Sequence, residues 1–539
     1  MWPPAAREEG WRSILYFPLI CQLFLQSLGH GHHSHHRPDH NEPPVLLMSM
    51  DGFRHDYVDR LRSLTEREGS KNHFQEMIQS GVWALGGIKN VFSTVTFPNH
   101  YTILTGLYEE SHGILGNMVY LPEENRTVNL LAKPSTKDAL KIYGGEPIWT
   151  TFAKQRSKFK VGCYMWMSCD VPISGIDLPT VIPYHRDSTC AEAVSWTLRW
   201  LRGGMRLVLV YLPEPDGTGH RHGPESDELD KMLLELNKCL GTLLDGLRQS
   251  NLDNGVNFVL TSDHGMTRFR TKLYIPPRGD LFLIRSFDYS HLLIEPLPGK
   301  EDEAVTYLRD IGKGNLTVYR KAEIPEHWHY SHTNRVTEIV VVANLGVQLL
   351  ATPPPSPPNF VAGHGYDNED KEMWPMFIAK GPSFLAGRSA PESLHLVDIY
   401  SLTCLLLHLR PAPNNGSEVN VLRLLKKAAP PLDHLQGEQA QLLRLTTSRN
   451  ILITVGASVG AIIVALAFVF FHRLSARSGR QNEAKSENGY AYKPVLPKTS
   501  SQLSDTEEDS DMEVFSSRTL ANQREQTNAY PTAKMTTPR

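Results

Sequence analysis

Three apolar runs in this chain end in the same way. Val45-Leu-Leu-Met-Ser-Met50 leads into Asp51-Gly-Phe-Arg54. Leu207-Val-Leu-Val-Tyr-Leu212 leads into Glu214-Pro-Asp216-Gly-Thr-Gly-His220, and Phe258-Val-Leu-Thr261 into Ser262-Asp263-His264-Gly-Met266. Short runs of this composition read as buried strands. Each stops on an acid where the backbone would leave a sheet. In an open parallel sheet that carboxyl edge is where ligands bind. Turn chemistry accounts for one Asp-Gly ending. It accounts poorly for three, two of them carrying an added histidine.

The clearest helical pattern covers 225–249, where Leu229, Leu233, Leu236, Leu240, Leu243 and Leu247 recur at steps of three and four. The stripe is core packing. It joins the Asp216 strand to the Asp263 strand, a strand–helix–strand unit that implies parallel pairing. Upstream, Ser93-Thr-Val-Thr96-Phe97-Pro98-Asn-His-Tyr101 predicts a helix with Pro98 at its first position, continuing to Leu104. That places Thr96 at a helix N-terminus, either as a cap or beside a bound anion. Asn117, after Gly106-Leu-Tyr-Glu-Glu-Ser-His-Gly113, is an amide suited to holding an oxyanion. Past the proline loop at 353–358, His364 stands between two glycines, more open than a packed core histidine.

Two further apolar stretches lie outside this pattern. Residues 1–29 carry Arg7 and Arg12 ahead of an apolar run and read as a secretory signal. Ile451–Phe471 is an uncharged segment long enough to span a bilayer. Arg473, Arg477 and Arg480 follow it, with Arg444 and Arg449 before it. Together they predict a single-pass type I protein at the cell membrane with its bulk outside. The expected order is signal 1–29, His-rich spacer 30–42, catalytic domain 43–415, juxtamembrane stalk 416–450, transmembrane helix 451–471 and a disordered cytoplasmic tail 472–539. Five cysteines remain beyond the signal, an odd number for an oxidising compartment, with connectivity open. Sequons at Asn125, Asn315 and Asn415 suit an exterior location. The net charge of −3 implies no attraction to nucleic-acid polymers.

The candidate ligands are Asp51, Asp216, His220, Asp263, His264 and His364. A mixed His/Asp set suits zinc better than calcium or magnesium. Six ligands exceed one tetrahedral ion and match two, a known device for in-line attack at phosphorus. A threonine hydroxyl needs such activation to act as a nucleophile. Thr94 is the near rival of Thr96, without the Phe-Pro helix start.

The set Asp51-Gly-Phe-Arg, Thr96-Phe-Pro-Asn-His-Tyr, Asp216-Gly-Thr-Gly-His220, Ser262-Asp-His-Gly-Met266 and His364-Gly-Tyr-Asp-Asn368 resembles the ecto-nucleotide pyrophosphatase/phosphodiesterase family of the alkaline phosphatase superfamily. The layout resembles its short, single-domain, membrane-anchored members. The resemblance implies an α/β fold, an alkaline-phosphatase-like sandwich with a central, mostly parallel sheet flanked by helices. It implies two Zn2+ ions, one bound by Asp216, His220 and His364, the other by Asp51, Thr96, Asp263 and His264. Thr96 would be the nucleophile, passing through a phospho-threonine, and Asn117 would steady a non-bridging oxygen. Phe97 and Tyr184 match an aromatic pair that stacks on a nucleotide base. Trp166 and Asp170 fall where the family has Trp-Pro-Gly-Ser/Thr-Asp, yet this chain reads Trp166-Met-Ser-Cys-Asp170.

Three functions remain open on these grounds: hydrolysis of nucleotide phosphodiester or phosphoanhydride bonds, as in dinucleoside polyphosphates; cleavage of choline phospholipids such as sphingomyelin; and a catalytically silent receptor.

Overall fold

The computed structural model describes residues 42–426, apart from 133, 179 and 351–359. The chain separates into Met1–Gln441 and Leu442–Arg539, and the second unit lies outside the described residues. So do the signal, most of the His-rich spacer, most of the stalk, the apolar segment 451–471 and the tail. Among the described residues no helix is long and apolar enough to cross a membrane.

The three apolar runs are the centre of an eight-stranded sheet. We number its strands β1 (Val45–Met50), β2 (Val82–Trp83), β3 (Val161–Tyr164), β4 (Val181–Ile182), β5 (Leu207–Leu212), β6 (Asn257–Thr261), β7 (Phe377–Lys380) and β8 (Arg388–Ser389). Their spatial order is β8-β2-β7-β6-β1-β5-β3-β4. β1 pairs parallel with both β5 and β6, and β3 parallel with β4 and β5. β7 runs against β6 and β2. Every residue of β1, β5 and β6 is buried. Such strands need cover on both faces, which explains their unbroken apolar runs.

Two groups of helices supply that cover. The Leu-rich pattern forms Asp227–Gln249, begun by Ser226, whose side chain accepts from the Leu229 N–H. It packs against Tyr57–Glu68, His73–Ser80 and Cys190–Arg202. Thr96–Thr105, Ile148–Gln155 and Asp398–Leu406 pack together as the second group.

The sequence pattern assigns no element within residues 267–350. They build a separate four-stranded antiparallel sheet in the order Phe282–Phe287, His291–Pro296, Ile339–Ala343, Leu316–Arg320. Its own core holds Ala304, Val305 and Leu308 of the helix Glu301–Gly312. The insertion separates His264 from His364 in sequence. The short pairing of Ala362–Gly363 with Thr267–Arg268 brings the chain back to the sheet edge.

Two boundaries differ from expectation. The helix expected to begin at Pro98 begins at Thr96, because Val95 is already extended and caps it. The compact part continues past 415 rather than giving way to a stalk there. Ser417 caps a helix Glu418–Leu422, Val421 and Leu424 are buried, and the Lys426 N–H donates to the Ser383 carbonyl at 2.8 Å.

The cysteine question resolves into bridges Cys163–Cys169 and Cys190–Cys239, leaving Cys404 free and buried. Cys190–Cys239 staples two helices of one group across 49 residues. By chain entropy a loop of that size contributes about 4 kcal/mol. Removing it with C190S/C239S is expected to lower the unfolding free energy of the domain by roughly that amount, read from the denaturant midpoint at unchanged slope.

Candidate metal centre and active site

The parallel pairing places Asp51, Asp216 and Asp263 at one edge of the sheet. The ladder runs on past the strands: the Asp51 N–H donates to the Leu212 carbonyl at 2.9 Å and the Asp216 N–H to the Asp51 carbonyl at 3.0 Å. Between them Gly52 turns with φ +67°, and a Cβ there would lie 2.9 Å from the Asp216 Cα. Only glycine admits both that conformation and that approach.

The six candidate ligands form two groups, Asp216/His220/His364 and Asp51/Asp263/His264. In the first, His220 Nε2 lies 3.3 Å from Asp216 Oδ1 and 3.2 Å from His364 Nε2, and His364 Nε2 lies 3.6 Å from the same oxygen. In the second, His264 Nε2 lies 3.1 Å from Asp263 Oδ2 and 3.4 Å from Asp51 Oδ1. Ligands at zinc-type distances of about 2.0–2.1 Å around a tetrahedral ion stand roughly 3.3 Å apart. The rings of His264 and His364 stack at 3.5 Å where the two groups meet.

The far atom of five of the six ligands is already engaged. Nδ1 of His220 faces the Ala362 carbonyl at 2.8 Å, Nδ1 of His364 the Thr94 carbonyl at 2.9 Å, and Nδ1 of His264 the Gly265 carbonyl at 2.9 Å. A carbonyl only accepts, so each Nδ1 carries the proton and each Nε2 presents a lone pair. Asp51 Oδ2 accepts from the Tyr211 hydroxyl at 2.6 Å, and Asp263 Oδ1 from the Gly52 N–H at 3.1 Å. The other oxygens, Asp51 Oδ1, Asp263 Oδ2 and Asp216 Oδ1, are buried without a hydrogen-bond partner. Bare Nε2 lone pairs facing one another and orphaned carboxylate oxygens are costly unless cations lie between them. The donor set therefore fits divalent metal.

Electrostatics agrees. Burial, reinforced by Asp263 and Asp216, lifts the Asp51 carboxyl well above the usual range. Burial also pushes Asp263 upward, but His264, His100 and the Gly52 N–H outweigh it and hold that carboxyl low. Burial, with His264 and His220 beside it, drives the His364 imidazole well below 6.5, so it stays neutral and able to ligate.

Thr96 Oγ1 lies 3.2 Å from His264 Nε2, beside the second group and at the first turn of its helix. Asn117 Oδ1 accepts from the Phe97 N–H at 3.1 Å, which ties the amide to that turn. Thr94 is fully buried. Its hydroxyl donates to the Tyr366 carbonyl and accepts from the Gly365 N–H, so it holds the His364 loop and is no rival nucleophile.

The remaining candidates are dispersed. Phe97 is half-buried and Tyr184 is 55 % exposed, 6.5 Å from the Tyr211 ring. Asp170 is exposed. Trp166 does not stand open to the site: it is 2 % exposed, its ring set edge-on to His100 at 5.4 Å. Asn125 and Asn415 are exposed, whereas Asn315 is half-buried and donates to the Gly312 carbonyl.

Sequence reasoning missed the residues that orient the ligands. Tyr211 was read as part of an apolar strand, and the one signal was a hydroxyl-bearing ring within that run. His100 bonds Ser49 and the Thr96 carbonyl, both at 2.9 Å, and stands 3.2 Å from Asp263 Oδ2. Its only mark was its place four residues after Thr96, one helical turn on.

Comparison with known proteins bears on the same residues. Residues 45–367 match the family model described as type I phosphodiesterase / nucleotide pyrophosphatase. The chain belongs to that family. It is 34 % identical over 457 residues to ectonucleotide pyrophosphatase/phosphodiesterase family member 5 of Homo sapiens, covering 81 % of this chain and 90 % of that protein. It is 34 % identical over 413 residues to the bis(5'-adenosyl)-triphosphatase of Mus musculus, covering 75 % and 85 %. Among solved structures, murine ectonucleotide pyrophosphatase/phosphodiesterase 5, as an inactive threonine-to-alanine variant in complex with AMP, aligns with a TM-score of 0.64. It shares 35 % identity, over 71 % of this chain and 100 % of that one. The family is one of hydrolases acting on phosphodiester and pyrophosphate bonds.

Two outcomes follow. Tyr211→Phe removes the bond that orients Asp51, and is expected to weaken metal affinity about 10–100-fold with the fold intact, as measured by chelator competition. Asp51 binds metal only as the carboxylate, and its raised pKa means that uptake expels a proton. Affinity should therefore rise with pH while Asp51 is protonated in the metal-free protein. An affinity that does not change with pH above the usual carboxylate range would contradict this.

Proposed function

We propose that this chain is a two-zinc extracellular hydrolase of nucleotide phosphodiester or phosphoanhydride bonds, dinucleoside polyphosphates among them, and that it works through a phospho-threonine at Thr96. In the same reading it is a single-pass type I membrane protein, glycosylated on its exposed sequons. The observation that carries the proposal is the pair of complete ligand groups with Thr96 beside one of them. A receptor that had given up catalysis would have no need to keep six ligands, five of them with their far atoms engaged.

The bound metals would supply positive charge for the phosphoryl oxygens and lower the cost of ionising a hydroxyl. The remaining work falls to this chain's residues. Asp216, His220 and His364 would hold one ion, and Asp51, Asp263, His264 and Thr96 the other. Thr96 Oγ1 attacks phosphorus: a threonyl O–P bond forms, the bond to the leaving oxygen breaks, and the alcohol or phosphate so released departs while the hydroxyl proton passes to it or to solvent. Water then opens the threonyl ester, releasing the nucleotide monophosphate and restoring the hydroxyl. The Asn117 amide, anchored through Oδ1, offers its Nδ2 group to a non-bridging oxygen. The Thr96 backbone N–H adds a second donor to the same charge.

The names of the relatives favour nucleotide over choline phospholipid: one is a bis(5'-adenosyl)-triphosphatase and another binds AMP. Tyr184 supplies the exposed aromatic face that base stacking needs.

The test is turnover of diadenosine triphosphate and of sphingomyelin by the secreted domain. Hydrolysis of the lipid alone would overturn the nucleotide assignment. Thr96→Ala should leave less than about one part in a thousand of wild-type turnover while metal content persists through Asp51, Asp263 and His264. Asn117→Ala should lower kcat by about 10²–10³, read in single-turnover assays.

A further inference from the structure

β3 ends at the catalytic edge, and the chain beyond it makes a tight turn closed by the Cys163–Cys169 bridge. Met165 has φ +59° and Ser168 φ +74°, left-handed conformations that residues with a Cβ disfavour. The turn is nonetheless buried: Cys163 is 0 % exposed, and Trp166, Ser168 and Cys169 are each 2 % exposed. Here the chain also departs from the Trp-Pro-Gly-Ser/Thr-Asp segment of the resemblance, with Cys169 in place of the Ser/Thr.

What the turn delivers is Trp166. Its ring meets His100 edge-on at 5.4 Å, with an interplanar angle of 83°. His100 is fully buried, and it bonds the carbonyl of Thr96 and stands against Asp263. One aromatic contact thus separates the bridge from the imidazole that braces the nucleophile's own backbone.

We propose that the Cys163–Cys169 bridge is a positioning element for catalysis: it clamps the 163–169 turn so that Trp166 holds His100, and through it Thr96, in line for attack. The bridge touches no reacting atom and acts through the tryptophan. This inference rests on Thr96 being the nucleophile.

The test is a cycle of three variants of the secreted, metal-loaded domain: C163S/C169S, W166L and their combination. Removing the bridge is expected to lower kcat by about 10–100-fold, the scale of a small misplacement of a reacting group. KM, metal stoichiometry and the Cys190–Cys239 bridge should be unchanged. W166L should reproduce that loss with the bridge intact, and the combination should lose no more than about twofold beyond either. A merely structural bridge would instead lower Tm and leave kcat alone. Unchanged kcat in C163S/C169S, or losses that multiply in the combination, would overturn the proposal. If C163S/C169S is not secreted, W166L decides: an unaltered kcat overturns the inference. Rates are read on diadenosine triphosphate and on bis(4-nitrophenyl) phosphate. Wild-type protein active only on the second would refute the nucleotide assignment while leaving this cycle readable.

Discussion

Two buried carboxylates, a half-buried third and three imidazole lone pairs are directed into two small volumes at one end of a sheet. Without positive charge between them this arrangement is repulsive, and nothing in an apolar core would assemble it. The rest of the molecule is a frame built to withstand that repulsion. Five of the six ligands are held by their far atoms: His220, His264 and His364 by backbone carbonyls, Asp51 by Tyr211, and Asp263 by the Gly52 N–H. The near atoms are thereby left to the metals.

That frame explains the fold's asymmetry. β1, β5 and β6 are buried on both faces, and the chain leaving them supplies Asp51, Asp216 and Asp263. The imidazoles come from a turn, a short helix and a distant loop, and each needs a separate hydrogen bond to be placed. The antiparallel sheet within 267–350 packs its own core, and the chain leaving it carries His364 home. Thr96 stands at the start of its helix, with the Asn117 amide tied to the same turn through the Phe97 N–H.

A further layer lies beneath the ligands. His100 reaches Ser49, the Thr96 backbone and Asp263, and the disulfide-closed turn that carries Trp166 bears on it. Stability and catalytic alignment are separable here. Cys190–Cys239 joins helices on the outside of the sheet, whereas Cys163–Cys169 shapes a turn that touches the machinery.

Much of the site was legible because parallel strands advertise themselves. An apolar run buried on both faces has few alternatives, and an acid at its end has one place to go. Asp51, Asp216 and Asp263 could therefore be placed on one edge from pattern alone, and the leucine stripe of Asp227–Gln249 fixed the direction of pairing. The sequence by itself determined residue types, their order and the chemistry those types permit. Only the tertiary structure decided that Tyr211 turns its hydroxyl toward Asp51, that Trp166 lies under the site rather than lining it, and that Cys163 pairs with Cys169. The physical reason is that hydrogen bonds and ring contacts between residues far apart in the chain depend on side-chain direction after the backbone has folded, as in Tyr211 with Asp51 and Thr96 with His264, whose separations are 160 and 168. Periodicity along a chain carries no information about that direction.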